Sequence, residues 1–467
     1  MLACLFAAAL LAYPPDAAPA PSIPAPALQP VATFMEVLSA QDPAPGEEPP
    51  PAPAPTVSQP PPGSVQRSAP PPVPDRWLLM KSLQGTWYGD LLDGNHTQIS
   101  GWIEGSFTAG TIGHNQLPLS FNYRGDEPVV QQAWLRVDHP VITSGTTDPT
   151  FGFRSDWLFG TDYSFTLPRG IFNSQLTARN GEPNIYGVDP VQFYGEFYVP
   201  TVAQGLDIKL GRFFSPFGAE NIDAVSNALL SHSYCFNNGP PYTNAGVLAT
   251  LALTPVWQVQ GGLVLGSDIV EFTSAAQPTL IGGVQWTQPG GNNVVKLVTI
   301  LNSGRFNTAA QQNNYNEVDL VWQHIIARGQ LAGATAPILT YNLEILAGYE
   351  TNLPDETTPD GRSVHIGTAS FIGVVNYLNA TLSPRLTATA RLEFFNDPQG
   401  ARTQTAPGAT VEDTRGLYTA VTLGLAFKPT SDVILLPELR YDYNDESRAF
   451  SGNHGLLTAG LGIILRF

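Results

Sequence analysis

Leu456-Leu457-Thr458-Ala459-Gly460-Leu461-Gly462-Ile463-Ile464-Leu465-Arg466-Phe467 sets Leu457, Ala459, Leu461, Ile463, Leu465 and Phe467 in one unbroken apolar row. A side chain that returns to the same side every second residue marks an extended strand. The same period recurs upstream. Between 191 and 199, Val191, Phe193, Gly195, Phe197 and Val199 alternate with Gln192, Tyr194, Glu196 and Tyr198. Phe151, Phe153, Trp157 and Phe159 share a face with Ser155, while Arg154 and Asp156 point the other way. Leu386, Ala388, Ala390, Leu392 and Phe394 alternate with Arg385, Thr387, Thr389, Arg391 and Glu393.

One alternating strand also suits a soluble sandwich, so the whole set has to decide. Sixteen segments carry the pattern: 97–107, 129–138, 150–158, 190–199, 206–214, 244–253, 256–266, 279–287, 292–301, 315–325, 338–349, 366–382, 385–395, 417–427, 432–443 and 456–467. Many run to about 10 residues, the length a tilted strand needs to cross a bilayer. Counting back from Phe467, short turns at 428–431, 383–384, 288–293, 254–255 and 200–205 alternate with longer connections at 444–455, 396–416, 350–365, 302–314, 267–278, 215–243 and 159–189. Turns at 139–149 and 326–337 are longer than the pattern wants. A sandwich has no reason to sort its loops by length, whereas a membrane barrel has short inner turns and long outer loops. The expectation is an all-β transmembrane antiparallel barrel of about sixteen strands.

Composition agrees. Charged residues make up 13% of the 467 residues and aromatics 10%, which suits a wall facing lipid. Mean hydropathy is −0.04, and the longest apolar run, Leu2 to Ala12, is too short for a spanning helix. A net charge of −17 argues against nucleic acid, which is bound by neutralising phosphates. Residues 1–20 read as a signal peptide without a basic start; Met1-Leu2-Ala3-Cys4 leaves a lipoprotein signal as the alternative. Residues 14–74 hold 21 of the 43 prolines, so 21–84 is expected to be a disordered arm, either a spacer or a segment touching peptidoglycan. The barrel is then 85–467.

If the apolar faces meet lipid, the opposite faces line the lumen. The expected inward acids are Glu104, Asp138, Asp156, Glu196, Asp207, Glu317, Asp319, Glu344, Glu393, Glu438 and Asp442. The expected bases are Arg136, Arg154, Lys209, Arg385, Arg391, Arg440 and Arg466, seven against eleven. Opposite charges two residues apart (Arg136/Asp138, Arg154/Asp156, Arg391/Glu393, Glu438/Arg440/Asp442) either pair along the wall or line a water-filled pore. The 215–243 loop, with Phe214, Phe217, Glu220, Asp223 and Phe236 in or beside it, is either packed surface or a constriction folded into the bore. The outer loops carry eighteen acids against eight bases, an ordinary solvated surface or a site for divalent cations beside lipopolysaccharide. His232 and Cys235 are two ligands short of a zinc site, and no hydrolase, Walker or calcium-loop motif is present. No metal or cofactor is expected.

Several stretches resemble the β-barrel porin family described as OmpL-like: 152–162, the run Gln192, Tyr194, Glu196 and Tyr198-Val199-Pro200, then Gly211-Arg212-Phe213, Gly218 with Glu220-Asn221, Ser231-His232-Ser233-Tyr234 and 437–442. The resemblance runs from about residue 85 to the end and implies an outer-membrane barrel, with a porin role by the family's name and no catalytic residues. Phe467, with Leu465 and Gly462, resembles the assembly signal of such barrels. The expected function is passive diffusion of small hydrophilic solutes with mild cation preference, as monomer or homotrimer. Its partners would be outer-membrane lipid, the assembly machinery and, through the arm, peptidoglycan. Rivals are a structural or adhesion barrel with a plugged lumen, and a barrel-borne hydrolase.

Overall fold

A computed structural model describes residues 76–467 apart from 113–118, 179–180, 271–275, 304–306, 309–310, 313, 354–355, 358–362, 365–366 and 404–412. The signal, Cys4 and most of the proline-rich arm lie outside the described residues. Sixteen antiparallel strands close into one barrel. They are β1 Gln98–Gly110, β2 Pro128–His139, β3 Thr150–Gly160, β4 Gly187–Val199, β5 Leu206–Phe214, β6 Thr243–Ala252, β7 Trp257–Val264, β8 Thr279–Thr287, β9 Asn293–Ser303, β10 Asn314–Leu331, β11 Ala334–Leu353, β12 Gly367–Ser383, β13 Leu386–Asp397, β14 Gly416–Thr430, β15 Val433–Asn444 and β16 Gly455–Arg466. Every expected segment is a strand.

Closure joins the two ends of the chain's strand order. β1 pairs with β16 from Trp102↔Arg466 to Gly110↔Thr458. The Phe467 amide donates to the Gly101 carbonyl at 2.8 Å, and the Gly101 amide donates back at 2.9 Å. The barrel sheet therefore has no edge, the condition for strands in hydrocarbon. The alternation read from β16 is now a physical division: Leu465 is 47% exposed on the outer wall and its neighbour Ile464 is 0% exposed inside. Outward Leu457, Leu461 and Ile463 follow Leu465, while Leu456, Thr458 and Arg466 are buried.

Two boundaries differ from the expectation. The long inner turn at 326–337 is a tight hairpin, because β10 and β11 run on to Leu331 and Ala334. Ala332 and Gly333 both have positive φ, 49° and 84°, as a two-residue hairpin turn demands. Pro337, on β11, sits beside a register shift near Ala327 and Arg328, where a strand tolerates proline. Second, the part of the arm nearest the barrel contains helix α1 (Leu78–Leu83), and α2 (Trp87–Gly94) precedes β1. Thr86 caps α2 by accepting from the Gly89 amide at 3.1 Å. Trp77 packs edge-on against inward Trp102 at 6.3 Å and lies under the Arg466 guanidinium, so this segment is docked at the inner rim.

Candidate functional site

The 215–242 connection joins the outer ends of β5 and β6, yet most of it is buried inside the barrel. A backbone withdrawn from bulk water must find partners for its N–H and C=O groups. Ordinary sheet pairing cannot supply them, because the wall's own backbone is already used. Inward side chains do so instead.

Four wall carboxylates accept loop amides: Asp319 from Gly218 (2.6 Å), Glu344 from Ala219 (3.0 Å), Glu438 from Ser231 (3.0 Å) and Glu393 from Tyr234 (2.6 Å). Wall donors take the carbonyls. Lys296 reaches Gly218 O at 3.2 Å, Arg391 reaches Ser231 O at 2.6 Å and Arg440 reaches His232 O at 2.6 Å. Tyr315 donates to Gly239 O at 2.9 Å, and Arg402, from the connection after β13, donates to Asn238 O at 2.7 Å. Across the bore, Gln132 on β2 donates to Ile222 O at 2.7 Å and accepts from the Ala224 amide at 3.1 Å. The loop is therefore bonded to strands on both sides of the barrel.

Glycines on the inward faces of four positions make room for its apolar side chains. A Cβ on Gly460 or Gly462 would come within 2.8 Å of the Leu230 methyls, one on Gly424 would strike Leu229, and one on Gly373 would strike the Cys235 sulfur. Gly462, singled out beside the terminal aromatic, thus has a packing reason of its own.

Glu220 is the hub of the loop. Its carboxylate meets the His232 Nδ1 at 2.7 Å, Arg391 at 3.1 Å, the Ser233 amide at 3.1 Å and the Tyr377 hydroxyl. Burial opposes the charge, but the His232 hydrogen bond and the Arg391 guanidinium outweigh it and hold the carboxyl down to about 2. Because this lies below the ordinary 4.5, the stabilisation is complete above about pH 4.5 and is lost as pH falls toward 2. In planar bilayers, conductance is expected to rise as pH falls from about 4.5 toward 2, the window in which Glu220 gains its proton. A step near neutral pH would assign control of the loop to another group.

The other expected constriction residues also lie inside. Phe214, at the end of β5, stands edge-on to Trp134 at 6.2 Å, and Phe217 is buried in the main apolar cluster. Asp223 approaches Arg136 at 3.7 Å, and Phe236 stacks on the His232 ring at 4.0 Å. His232 and Cys235 face different surroundings, one on Glu220 and the other against Gly373.

Seventeen of the eighteen residues expected to line the lumen lie on inward positions, but their pairing needs correction. Arg136 pairs across strands with Asp156 at 2.9 Å, and Arg154 with Asp138 at 3.0 Å, rather than along one strand. The register sets these residues directly opposite one another. Facing partners sit about 5 Å apart, closer than residues two steps along a strand at about 7 Å. Arg391–Glu393 (3.1 Å) and Arg440–Asp442 (2.8 Å) do pair along their strands, and Arg440 also reaches Glu393 at 3.4 Å. Nearer the inner end, Lys209 and Glu196 meet at 3.4 Å and stand apart from the loop, as Arg154 and Asp138 do. Glu104 is buried on β1. Arg385 is not a wall residue: it lies exposed in the turn after β12. Sequence reasoning missed Lys296, which takes the seventh place among the wall bases, and the fully buried pair Arg212–Asp189 at 2.6 Å.

A family model described as Putative beta-barrel porin-2, OmpL-like matches residues 96–467. The chain belongs to this family. The matched span runs from just before β1 to Phe467, so it takes in the entire porin-2 barrel and its inward loop. Family and fold together place the protein in the bacterial outer membrane. No curated protein matches the sequence. Among solved structures, the anion-selective porin from Comamonas acidovorans is similar with a TM-score of 0.51 and 9% identity, over 79% of this chain and 99% of that one. The outer membrane channel DcaP of Acinetobacter baumannii gives 0.50 and 12%, over 79% and 97%. At such identities the likeness is one of fold.

Proposed function

We propose that the barrel passes small hydrophilic solutes by passive diffusion and mildly prefers cations. The observation that carries this reading is the 215–242 loop, folded from the outer rim into the bore and held there by charged wall residues. Such a loop narrows a wide sixteen-strand barrel to a filter whose width and charge select the solute. There is no covalent step. The sign of the preference follows from the interior charge: the eleven wall acids read from the sequence and Asp189 stand against eight bases, Lys296 and Arg212 among them, and the loop adds Glu220 and Asp223 with no Lys or Arg. The Comamonas porin bears the description anion-selective. Fold likeness carries no charge pattern, so the opposite selectivity here is no contradiction.

Reversal potentials test the proposal. With KCl more concentrated on one side of a planar bilayer, the zero-current voltage should shift toward the potassium equilibrium value. A shift toward the chloride value would overturn the cation preference. Absence of step currents would favour the rival reading, a structural barrel with a plugged lumen, which draws on the same dense bonding between loop and wall.

A further inference from the structure

The chain enters the barrel through α2, and one apolar face of that helix is left uncovered. Trp87, Tyr88 and Leu91 are all exposed, Trp87 at 78%. On a helix these three positions fall within about 100° of the circumference. The rings of Trp87 and Tyr88 meet edge-on at 5.6 Å and form one aromatic ridge. The far side of the helix is occupied. Leu92 is buried, Gly89 lies so close to the Leu83 carbonyl that a Cβ would strike it, and Asp93 pairs with Arg76. An exposed apolar ridge of this size marks a surface that meets a partner.

The position of the ridge identifies that partner. α1 lies on the lumen side of β1, with Trp77 against inward Trp102. α2 then returns the chain to the outer side. The Leu92 carbonyl accepts from the Thr97 amide at 2.9 Å, and the Thr97 hydroxyl lies 3.3 Å from the His139 Nδ1. His139 ends β2 and stacks at 5.6 Å on Phe153, one of the outward row that Phe151, Trp157 and Phe159 continue along β3. The end of α2 is thus joined, side chain by side chain, to the wall that faces lipid. Exposed Ile142, Val202, Leu253 and Leu382 lie in or beside other inner turns, so the apolar surface reaches the inner rim there too. Trp and Tyr suit the boundary between hydrocarbon and water, since each has an apolar body and a polar tip. α2 has no Lys or Arg, only Asp90 and Asp93, so attraction to acidic headgroups plays no part.

We propose that α2 is an interfacial anchor, its Trp87–Tyr88–Leu91 face resting in the headgroup boundary of the inner leaflet of the outer membrane. The anchor fixes the point at which the chain enters the barrel, whether or not the lumen conducts.

Fluorine NMR of full-length protein carrying fluorotryptophan, in phosphatidylcholine nanodiscs, tests this. The chain has eight tryptophans, and the resonance absent from Trp87→Phe belongs to Trp87. Phenylalanine keeps an apolar ring at the site, so the variant should fold. Lipid with a nitroxide near its headgroup should reduce the Trp87 signal severalfold, while a gadolinium chelate in the water should affect it no more than it affects outward Trp157. Both results should be the same when phosphatidylglycerol is added, because the contact is apolar. Broadening by the chelate without broadening by the lipid label would overturn the anchor. Protection from both would also overturn it, since protein would then cover the ridge; restored chelate access after removal of residues 1–75 would name the arm as that cover.

Discussion

Replacing Arg391 and Arg440 together with leucine is expected to release the 215–242 loop and raise single-channel conductance severalfold. The two guanidiniums are buried, and between them they hold Ser231 O, His232 O and the Ser231 hydroxyl. They also neutralise Glu220, Glu393 and Asp442. Removing one partner of a buried pair costs about 3–5 kcal/mol, because the remaining charge stays out of water. Here three carboxylates would lose their guanidinium partners on and beside the same loop. Mutual repulsion and hydration both favour moving Glu220 into open lumen. The sixteen-strand ladder does not depend on these side chains, so the barrel should still fold. The measurement is unitary conductance in KCl, paired with protease sensitivity of the loop. Unchanged conductance in a folded double variant would show that Leu229 and Leu230, seated over Gly424, Gly460 and Gly462, hold the loop without the charges.

That result would also bear on why the wall is charged. The alternation along each strand was legible in the sequence, as was the sorting of short and long connections, because both depend on neighbours in the chain. Period two assigns Arg391 and Glu393 to the inner face whatever the rest of the molecule does. It says nothing about what they meet there. Ser231 and Glu438 are 207 residues apart, and Gly218 and Asp319 are 101 apart. No local pattern encodes such contacts. The loop's length and aromatic content marked it as a candidate constriction but left its place open between surface and bore. Glycines offered an unused signal: Gly373, Gly424, Gly460 and Gly462 all fall on inward positions, where a strand facing an open lumen has no need of them. Lys296 escaped notice because it interrupts an apolar run, Val294-Val295-Lys296-Leu297-Val298, in which neither face looks polar. Arg212 was hidden differently. Gly211 takes a φ of 135° beside it, and simple alternation from Asp207 and Lys209 fails there.

Leu423→Arg should weaken folding into the bilayer by about 2–4 kcal/mol while leaving the inner wall untouched, and the size of its effect separates lipid from water as the solvent of the outer face. Leu423 lies at the middle of β14 and is 55% exposed, flanked on the same face by exposed Val421, Leu425 and Phe427. In a soluble barrel, a substitution at so exposed a site changes stability by about 0.5 kcal/mol or less. At the midplane of a bilayer the same arginine costs about 2–4 kcal/mol, since the guanidinium must be desolvated or must drag water and headgroups inward. Thr422→Arg would not serve as the control, because Thr422 is buried inside against Arg391. Thr430→Arg does serve: it is exposed at the inner end of the same strand, where interfacial arginine costs about 0–1 kcal/mol. Folding into lipid vesicles under a urea titration reads both. A loss of several kcal/mol at 423 with little change at 430 requires hydrocarbon around the middle of β14. Equal and small effects at the two positions would mean that water bathes the outer wall, and the channel proposal would lose its membrane.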